Sequence, residues 1–430
     1  MKKIYLTLCM LWLTTITISQ VVVDPSFGNS GTIQSGFGYN GLETHSPCKQ
    51  MLLTPSGSFY LLLEYLDQVF LVRRLPNGAL DNTYGENGYS AGAFVRNAHA
   101  LLMPDGCVVI GGGSFGVDLD WNFKLMRFLP NGKLDKTFAQ NGVQLTDLYG
   151  ENDIMFAMAL QPDNKIVTAG LSGYHFGIVR YLPNGMLDSS FSDDGKDTVN
   201  LGGWREVPSG IAVKNDGKIV VVGQSVFGPQ NRMAVACYLP DGTRDNNFSG
   251  DGVNTFAFSD DCGANAVAVQ PNGKIVMAGL INRTYKEFAV VQLNADGSPD
   301  NTFSGDGVQT VYFTGWDEAF AVTIDNNGKI VAGGCGIGYN SMQWLVTRLS
   351  ADGSLDLSMN GNGRINFPMG SNYGLNSLAI QPDGKILVGG EAFFHTARYV
   401  AARFNANGSS DYSFGDRGYI ADYKPSSATS

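Results

Sequence analysis

The sequence predicts an all-β protein, a seven-bladed β-propeller built from seven four-stranded repeats of about 55 residues. Three observations predict it: a turn motif with an invariant Asp recurs along the chain, a second Asn/Asp-Gly turn lies inside each interval, and no long segment carries a capped helical period. Four short antiparallel strands per repeat of this length are typical of propeller blades. The motif Asp falls at Asp24, Asp81, Asp135, Asp188, Asp245, Asp300, Asp356 and Asp411.

The motif reads LPNGMLDSSFSDDG in residues 182–195 and has six further full copies, in residues 75–88, 129–142, 239–252, 294–307, 350–363 and 405–418. The second turn reads QPDG or a variant of it, as in residues 161–164 and 381–384, and is usually followed by a KIVVAG-like run. Both turns are Asn/Asp-Gly signals between short apolar runs, which is hairpin chemistry. A linear β-solenoid also repeats, but its turns are shorter and it needs atypical capping repeats, which this chain lacks.

Each interval therefore contains four strands. In the third interval we expect strands at 156–161, 165–170, 176–182 and 196–201. The strand before the QPDG turn carries mostly small residues at same-face positions, as in Ala157 and Ala159, and close packing near a propeller axis demands small residues. We therefore place this strand innermost, followed outward by the other three in chain order.

Antiparallel alternation then sorts the loops onto two faces. The QPDG turn and the Asp motif share one face and hardly vary among the copies, so folding alone explains them. The loops between second and third strands and the crossovers between blades lie on the opposite face and vary freely. Variable loops on a rigid scaffold are where binding usually occurs, so we predict the functional surface there.

Candidate ligand-binding residues follow from that face. Aromatic and acidic side chains outnumber basic ones there, which suits a neutral glycan or a peptide better than a polyanion. The alternative is that many of these aromatics pack between blades. His99 is included because it replaces a small residue on the innermost strand and could face the channel. The candidates are Trp204, Trp316, Trp121, Tyr174, Tyr339, Glu206, Glu318 and His99.

The segments GWREVP (203–208) and GWDEAF (315–320) occupy similar crossovers, and each could set an acid beside an aromatic ring. That arrangement is used by glycosidases, so a glycan-cleaving hydrolase or lyase is the alternative function, and a purely structural spacer is another. No GxSxG or HExxH motif is present. We therefore predict a binding or interaction module rather than an enzyme.

The recurring Asp serves the blade rather than a ligand, because a residue needed in every blade has a structural role. We expect Asp81, Asp135, Asp188, Asp245, Asp300, Asp356 and Asp411 to cap their own turns or to pair with the Arg that ends the third strand in five blades. A calcium loop is the alternative for segments such as 245–252, but Phe248 occupies a ligand position and no distal Glu follows on schedule. We expect no metal and no cofactor.

Composition limits the partners. The chain has 430 residues with a net charge of −10, which argues against nucleic acid or an anionic membrane surface. Residues 1–19 have the basic start, apolar segment and small residues of a signal peptide, which predicts secretion with Gln20 as the new N-terminus. Residues 20–423 then form one propeller, expected to be a monomer without a membrane span, and 424–430 are a short Ser/Thr tail. The five remaining Cys lack metal spacing and are expected to be small buried hydrophobes.

The units GxLDxxFxxxG, QPDGKIVVAG and FxVxRYLPDG, repeated over residues 24–418, resemble the delta-60 repeat family of bacterial β-propellers. The resemblance implies a secreted or surface protein with no agreed activity. Many such relatives end in a C-terminal sorting domain, and no such pattern follows Tyr423 in this sequence. Segments 32–37 and 419–423 both follow a motif Gly, so one should complete the last blade while the other adds at its edge or lies loose.

Overall fold

The computed structural model describes residues 48–65, 68–90, 92–116, 120–228, 230–258, 261–313, 315–337, 342–368, 374–393, 397–415 and 418–422. These residues form seven antiparallel four-stranded sheets arranged as blades in a ring, so the predicted seven-bladed β-propeller is confirmed. In each blade the strands pair in chain order, from the first strand to the fourth. The described residues contain no helix, and hence none that could cross a membrane.

The strands are numbered β1 to β28 in chain order, four to a blade. Blades 1 to 3 comprise β1 (Cys48–Leu53), β2 (Phe59–Tyr65), β3 (Gln68–Arg74), β4 (Ala93–Phe94); β5 (Arg96–Leu102), β6 (Val108–Phe115), β7 (Trp121–Phe128), β8 (Val143–Thr146); β9 (Asp153–Leu160), β10 (Ile166–Ser172), β11 (His175–Tyr181) and β12 (Lys196–Val199).

Blades 4 to 7 follow the same plan. They comprise β13 (Arg205–Val213), β14 (Ile219–Phe227), β15 (Gln230–Tyr238), β16 (Val253–Phe256); β17 (Asp261–Val269), β18 (Ile275–Asn282), β19 (Lys286–Leu293), β20 (Val308–Val311); β21 (Trp316–Ile324), β22 (Ile330–Ile337), β23 (Met342–Leu349), β24 (Arg364–Pro368); β25 (Leu375–Ile380), β26 (Ile386–Phe393), β27 (Ala397–Phe404) and β28 (Tyr419–Asp422).

The first strands of neighbouring blades contact one another around the whole ring, so the strand before each QPDG-type turn is innermost, as predicted. Apolar clusters lie between adjacent blades rather than within one blade. Val222 and Met233 of blade 4, for example, share a buried cluster with Cys262 and Met277 of blade 5. The propeller core is therefore a ring of sheet-to-sheet contacts, in which each blade buries its two faces on its neighbours.

Every innermost strand contains a β-bulge near its start, such as the one between Ala264 and Ala266 in β17. The bulge pushes a carbonyl against a glycine of the second strand. A Cβ built on Gly279 would lie 2.0 Å from the oxygen of Gly263, which no real side chain tolerates. This contact explains why the second strands of six blades carry Gly at this point in the KIVVAG-like run. β-Bulges often lie beside functional sites.

The ring closes between blade 7 and blade 1. The strand β28 completes blade 7, so the C-terminal segment fills the outer position, while segment 32–37 lies outside the described residues. Hydrogen bonds between described residues of the two blades include Met51 N to Ser377 Oγ (2.9 Å), Asn376 Nδ2 to Cys48 O (3.2 Å) and Arg403 Nη1 to Pro76 O (2.8 Å).

The five described cysteines are buried free thiols, which confirms that they serve as small apolar side chains. Burial raises the pKa of the Cys237 thiol to about 12, so it stays protonated at neutral pH. These cysteines are Cys48, Cys107, Cys237, Cys262 and Cys335.

Candidate binding face

The face that carries the repeated turns (the repeated-turn face) is built around the motif Asp. Asp188 accepts hydrogen bonds at Oδ1 from the Ser190 hydroxyl (2.7 Å) and amide (3.2 Å). Its Oδ2 accepts from Arg180 Nε (2.7 Å) and pairs with Lys165 Nζ (3.0 Å). Burial acts to raise the pKa of Asp188, but these hydrogen bonds and charges outweigh the effect of burial and hold the pKa at about 2. The carboxylate thus both caps its turn and neutralises two cations.

Other blades repeat this arrangement with substitutions. In blade 5, Gln292 takes the place of the arginine, and Asp300 Oδ2 accepts from Gln292 Nε2 (2.6 Å) and Lys274 Nζ (2.6 Å) instead. Asp81, Asp135, Asp245, Asp356 and Asp411 are likewise buried and each pairs with an Arg or Lys.

The same motif joins each blade to the next. Arg348 Nη1 donates to Ala406 O of the following blade (2.6 Å), and Arg180 Nη1 donates to Pro240 O. The residue after the motif Phe adopts a positive φ and donates its amide across the blade boundary, as Ser304 N does to Asp352 O (2.8 Å, φ 51°). The repeated-turn face is therefore a belt of blade-to-blade hydrogen bonds.

The opposite face, formed by the loops between second and third strands and by the crossovers between blades, is the variable face. Large aromatic side chains project from it with more than half of their surface exposed. They include Phe115 (57%), Tyr174 (63%), Trp204 (63%), Tyr285 (55%) and Trp316 (56%).

One group of predicted residues meets where blades 3 and 4 adjoin, and we call Tyr174, His175, Trp204 and Glu206 the Trp204 cluster. The amide of Glu206 donates to Tyr174 O (2.8 Å), which ties the loop of blade 3 to the crossover that enters blade 4. The Glu206 carboxylate also pairs with His175 Nδ1 (3.1 Å). Trp204 stands two residues before Glu206, about 7 Å of extended backbone. The structure therefore brings together three residues predicted from sequence, Tyr174, Trp204 and Glu206.

The side chain of Glu206 is fully buried, and its oxygens are occupied. Oε1 accepts from the amides of Leu201 (2.5 Å) and Gly203 (3.2 Å), so the carboxylate fixes the crossover that carries Trp204. Trp204 N donates to Val226 O (3.1 Å), which anchors the residue to β14. Glu206 is thus a support for the exposed side chains rather than an exposed acid.

A second group lies between blades 5 and 6, and we call Asn265, Lys286, Trp316 and Glu318 the Trp316 cluster. Glu318 accepts from Asn265 Nδ2 (2.9 Å) and lies 3.6 Å from Lys286 Nζ, with its side chain 22% exposed. Strand register shows that this cluster is not a copy of the first. In both strands an acid stands three residues before the bulge, namely Glu206 in β13 and Asp317 in β21, so Asp317 is the counterpart of Glu206. Asp317 is fully buried and accepts a hydrogen bond from Phe313 N (2.8 Å).

The remaining predicted residues are dispersed. Trp121 packs against Phe115 with the rings tilted by 39° and their centroids 4.1 Å apart, and it lies under the Arg96 guanidinium (5.1 Å), so it is half-buried in blade 2. Tyr339 lies outside the described residues.

His99 is half-buried on the innermost strand β5, in register with Gly111 of β6. Burial, reinforced by the charge of Lys49, lowers its pKa to about 4. The imidazole is therefore neutral at neutral pH.

Two buried acids on the variable side behave unlike the motif Asp. Asp153, which occupies in blade 3 the place of Glu206, accepts from Leu148 N (2.6 Å), yet burial raises its pKa to about 7. Burial likewise raises the pKa of Glu391 to about 7, against the charge of Lys49.

Within the described ranges, no group of three His, Cys, Asp or Glu side chains could hold a metal ion. A shallow cleft of about 340 Å³ lies on the repeated-turn face between blades 3 and 4, lined in part by Gln161, Lys165, Arg180 and Asp216. Its two cations are already paired with Asp188, which makes it a consequence of blade packing.

Sequence reasoning missed His175 and Asp317. His175 begins β11 and contacts a carboxylate of the next blade. Asp317 and Glu318 are adjacent, and only the strand register tells which one supports the crossover. The signal that could have found Asp317 is its spacing before the bulge, three residues, which Asp153 and Glu206 share.

Six segments of the chain match the family described as "Domain of unknown function (DUF5122) beta-propeller": residues 104–138, 161–191, 214–248, 270–303, 326–358 and 381–414. Each matched segment starts at a first-to-second-strand turn and ends at a motif Phe or, in blade 6, one residue before its equivalent Met359, so it covers one blade's shared framework. Together with the seven-bladed architecture, these matches support a propeller repeat family. None of the curated proteins matches the sequence.

Solved structures share the fold at low identity. Polysaccharide lyase Uly1 is 14% identical with a TM-score of 0.49, covering 88% of this chain and 94% of that one. The periplasmic gluconolactonase PpgL of Pseudomonas aeruginosa is 11% identical with a TM-score of 0.48, covering 88% and 96%. Virginiamycin B lyase of Staphylococcus aureus, as a catalytically inactive variant with quinupristin, is 10% identical with a TM-score of 0.41, covering 82% and 94%. These likenesses concern the fold alone.

Proposed function

We propose that this protein is a secreted binding module that takes a glycan or a peptide on its variable face. The observation that carries the proposal is the Trp204 cluster, in which two aromatic side chains, each 63% exposed, stand on a loop of blade 3 and on the crossover into blade 4, which a fully buried glutamate joins. Exposed aromatics on a rigid frame supply contact area at little entropic cost, as binding sites require. On the repeated-turn face, by contrast, the polar groups of the motif are already engaged in joining the blades.

Binding is favoured over catalysis by the state of the predicted acids. Glu206 is buried with both oxygens occupied, and Glu318 is shared between an amide and an ammonium group. A glycosidase needs two carboxyl groups that reach the scissile bond from opposite sides, and neither acid is free for that role.

A glycan-cleaving enzyme is the second candidate, and one feature favours it. Glu206 orients the His175 imidazole through Nδ1, which is how enzymes fix the tautomer of a catalytic histidine. Incubating the protein with polysaccharides and measuring new reducing ends separates the two candidates. Turnover that Glu206→Gln or Glu318→Gln abolishes would establish the enzyme, whereas binding without product supports the module.

The location of the protein is part of the proposal and has its own test. The basic, apolar and small-residue pattern of residues 1–19 supports export through a cleaved leader. N-terminal sequencing of protein recovered from the culture medium should begin at Gln20. Protein that stays inside the cell and begins at Met1 would contradict export.

The binding proposal is tested by probing a glycan and peptide array with the purified protein. We expect a defined set of bound probes, and Trp204→Ala should lose them while Tyr412→Ala keeps them. Tyr412 is the matched control, because it is an aromatic 71% exposed beside the motif Asp of blade 7, on the opposite face. If Tyr412→Ala abolished binding and Trp204→Ala did not, the binding site would lie on the repeated-turn face.

A further inference from the structure

We propose that the Trp204 cluster is a subsite for one neutral sugar ring, which lies against Tyr174 and Trp204 and hydrogen-bonds through a hydroxyl group to Nε2 of His175. The inference rests on the proposed function and deepens it, since it chooses the ligand class and names the polar contact. It depends on three properties of the cluster: the direction of the imidazole, the stiffness of the frame and the balance of charge.

The imidazole direction follows from its partner. Nδ1 is 3.1 Å from Glu206 Oε2, and that carboxylate is fully buried, so Nδ1 carries the proton and points inward. Nε2 is on the other side of the ring, and the His175 side chain is 38% exposed. In the tautomer that carries the proton on Nδ1, Nε2 is the acceptor nitrogen of the ring. A sugar hydroxyl, which can donate, is a suitable partner for it.

The backbone around Trp204 is fixed by contacts. Trp204 N donates to Val226 O (3.1 Å), and Glu206 Oε1 accepts from the amides of Leu201 and Gly203. A Cβ on Gly203 would lie 2.3 Å from Ser225 Oγ and 2.8 Å from Val226 O, so the crossover lies directly on β14. The tryptophan is therefore held in place before a ligand arrives, which reduces the ordering cost of binding.

The charges around the cluster select a neutral ligand. The buried Glu206 carboxylate already accepts hydrogen bonds from two backbone amides and the imidazole, so its oxygens are not open to a ligand cation. Exposed Arg205 follows Trp204, and Glu151 approaches the loop of blade 3, where a Cβ on Gly173 would lie 3.0 Å from its Oε2. One exposed base and one exposed acid give no net field for a polyanion. Flat aromatic faces with few charges suit the apolar side of a sugar ring.

Two substitutions of His175 distinguish the roles of its two ring nitrogens, Nδ1 and Nε2. Asn places an amide nitrogen near the position of Nδ1, so His175→Asn keeps a donor for Glu206 and removes Nε2. Gln reaches the position of Nε2 and gives up the Glu206 contact. The probes are a neutral α-glucan, a neutral β-glucan, a galactomannan and a xylan, with polygalacturonate as the anionic probe and a peptide library for comparison. Affinity is measured by calorimetry and folding by thermal melting, with Tyr412→Ala as the control.

We expect at least one neutral polysaccharide to bind, and His175→Asn and Trp204→Ala each to weaken it at least tenfold with an unchanged melting temperature. His175→Gln should retain more affinity than His175→Asn. Unchanged affinity in His175→Asn would overturn the role of Nε2, and binding of polygalacturonate alone would overturn the neutral sugar. If only peptides bind, and Trp204→Ala abolishes that, this inference fails while the proposed function stands. If Tyr412→Ala alone abolishes binding, the proposed function fails as well.

Discussion

The two faces of the propeller both carry buried acids, and they use them in opposite ways. On the repeated-turn face, Asp188 and Asp411 meet arginine and lysine, and hydrogen bonds and charge hold the pKa of each at about 2 despite burial. On the variable side, Asp153 and Glu391 have pKa values raised to about 7 by burial. The first set stabilises the fold as ions, whereas ionisation of the second set costs stability.

The contrast teaches how a repeat protein can separate stability from function. The copies of the repeated turn make closely similar backbone hydrogen bonds within their own blade and to the next, so variation there would weaken the ring. On the variable face, the crossovers that enter blades 3, 4 and 6 share a supporting acid, which is Asp153, Glu206 or Asp317. Everything beyond that support is free to differ, and exposed aromatics appear there.

The largest expected effect comes from breaking the repeated-turn face. Asp188→Ala should lower the free energy of unfolding by about 3 kcal/mol, because it leaves Arg180 and Lys165 without their partner and the turn without its cap. Ligand affinity should not change. Asp163→Ala is the control, since that carboxylate is 57% exposed and should matter by less than about 0.5 kcal/mol in denaturant unfolding. If Asp188→Ala and Asp163→Ala lowered the free energy of unfolding equally, the motif Asp would not stabilise the repeated-turn face as described.

On the variable face, Glu206→Ala should cost about 2 kcal/mol, because two buried amides lose their acceptor. Glu318→Ala should cost about 0.5 kcal/mol, because that acid is partly exposed and its ion pair is long. Chemical denaturation of both variants checks the difference. If Glu206→Ala and Glu318→Ala lowered the free energy of unfolding by the same amount, the position three residues before the bulge, which Glu206 shares with Asp317, would have no special role in stability.

The pH dependence of stability sharpens the comparison. The folded pKa of Asp153, about 7, lies above the ordinary aspartate value of about 3.8, so its contribution to stability is full below about pH 4 and is lost as pH rises toward 7. Asp153→Asn, which cannot ionise, should therefore gain about 2 kcal/mol relative to wild type between pH 4 and pH 8. Asp163→Asn should show no such gain. The motif Asp act in the opposite sense, because their stabilisation is lost as pH falls below about 4.

A modest loss of stability, with a clear change in function, is expected from Gly203→Ala. The added methyl group would meet Ser225 and the backbone of Val226, so the crossover must shift and carry Trp204 with it. We expect a stability loss of about 1 kcal/mol and a several-fold loss of affinity for the best-bound array probe. Gly263→Ala, whose nearest neighbour would be 3.3 Å away, is the control for adding a methyl group. Unchanged binding by Gly203→Ala would mean that Trp204 is not held by this contact.

The architecture was predictable from sequence because repetition multiplies weak signals. One Asn/Asp-Gly turn is a modest indication, but seven aligned copies fix the number of blades, the strand order and the two faces. Small residues such as Ala157 and Ala266 identified the innermost strand, and the structure confirms its place.

The local geometry of the candidate face was not predictable in the same way. The His175–Glu206 contact joins two blades through residues that are 31 apart and belong to unrepeated segments. The one-residue difference between the two tryptophan crossovers depends on where each strand pairs after the loop. Unrepeated loops offer only one copy, so no alignment within the chain can reveal their register.

The central claim, that the variable face binds and the repeated-turn face holds the ring, is tested most directly by hydroxyl-radical footprinting of exposed side chains with and without the best-bound array probe. One experiment reads both faces, because Tyr174, Trp204 and Trp316 are exposed on the first and Leu357 and Tyr412 on the second. The account predicts at least fivefold slower oxidation of Tyr174 and Trp204 with the ligand and no change at Leu357 and Tyr412. Protection of Leu357 and Tyr412, with Trp204 unaffected, would contradict it.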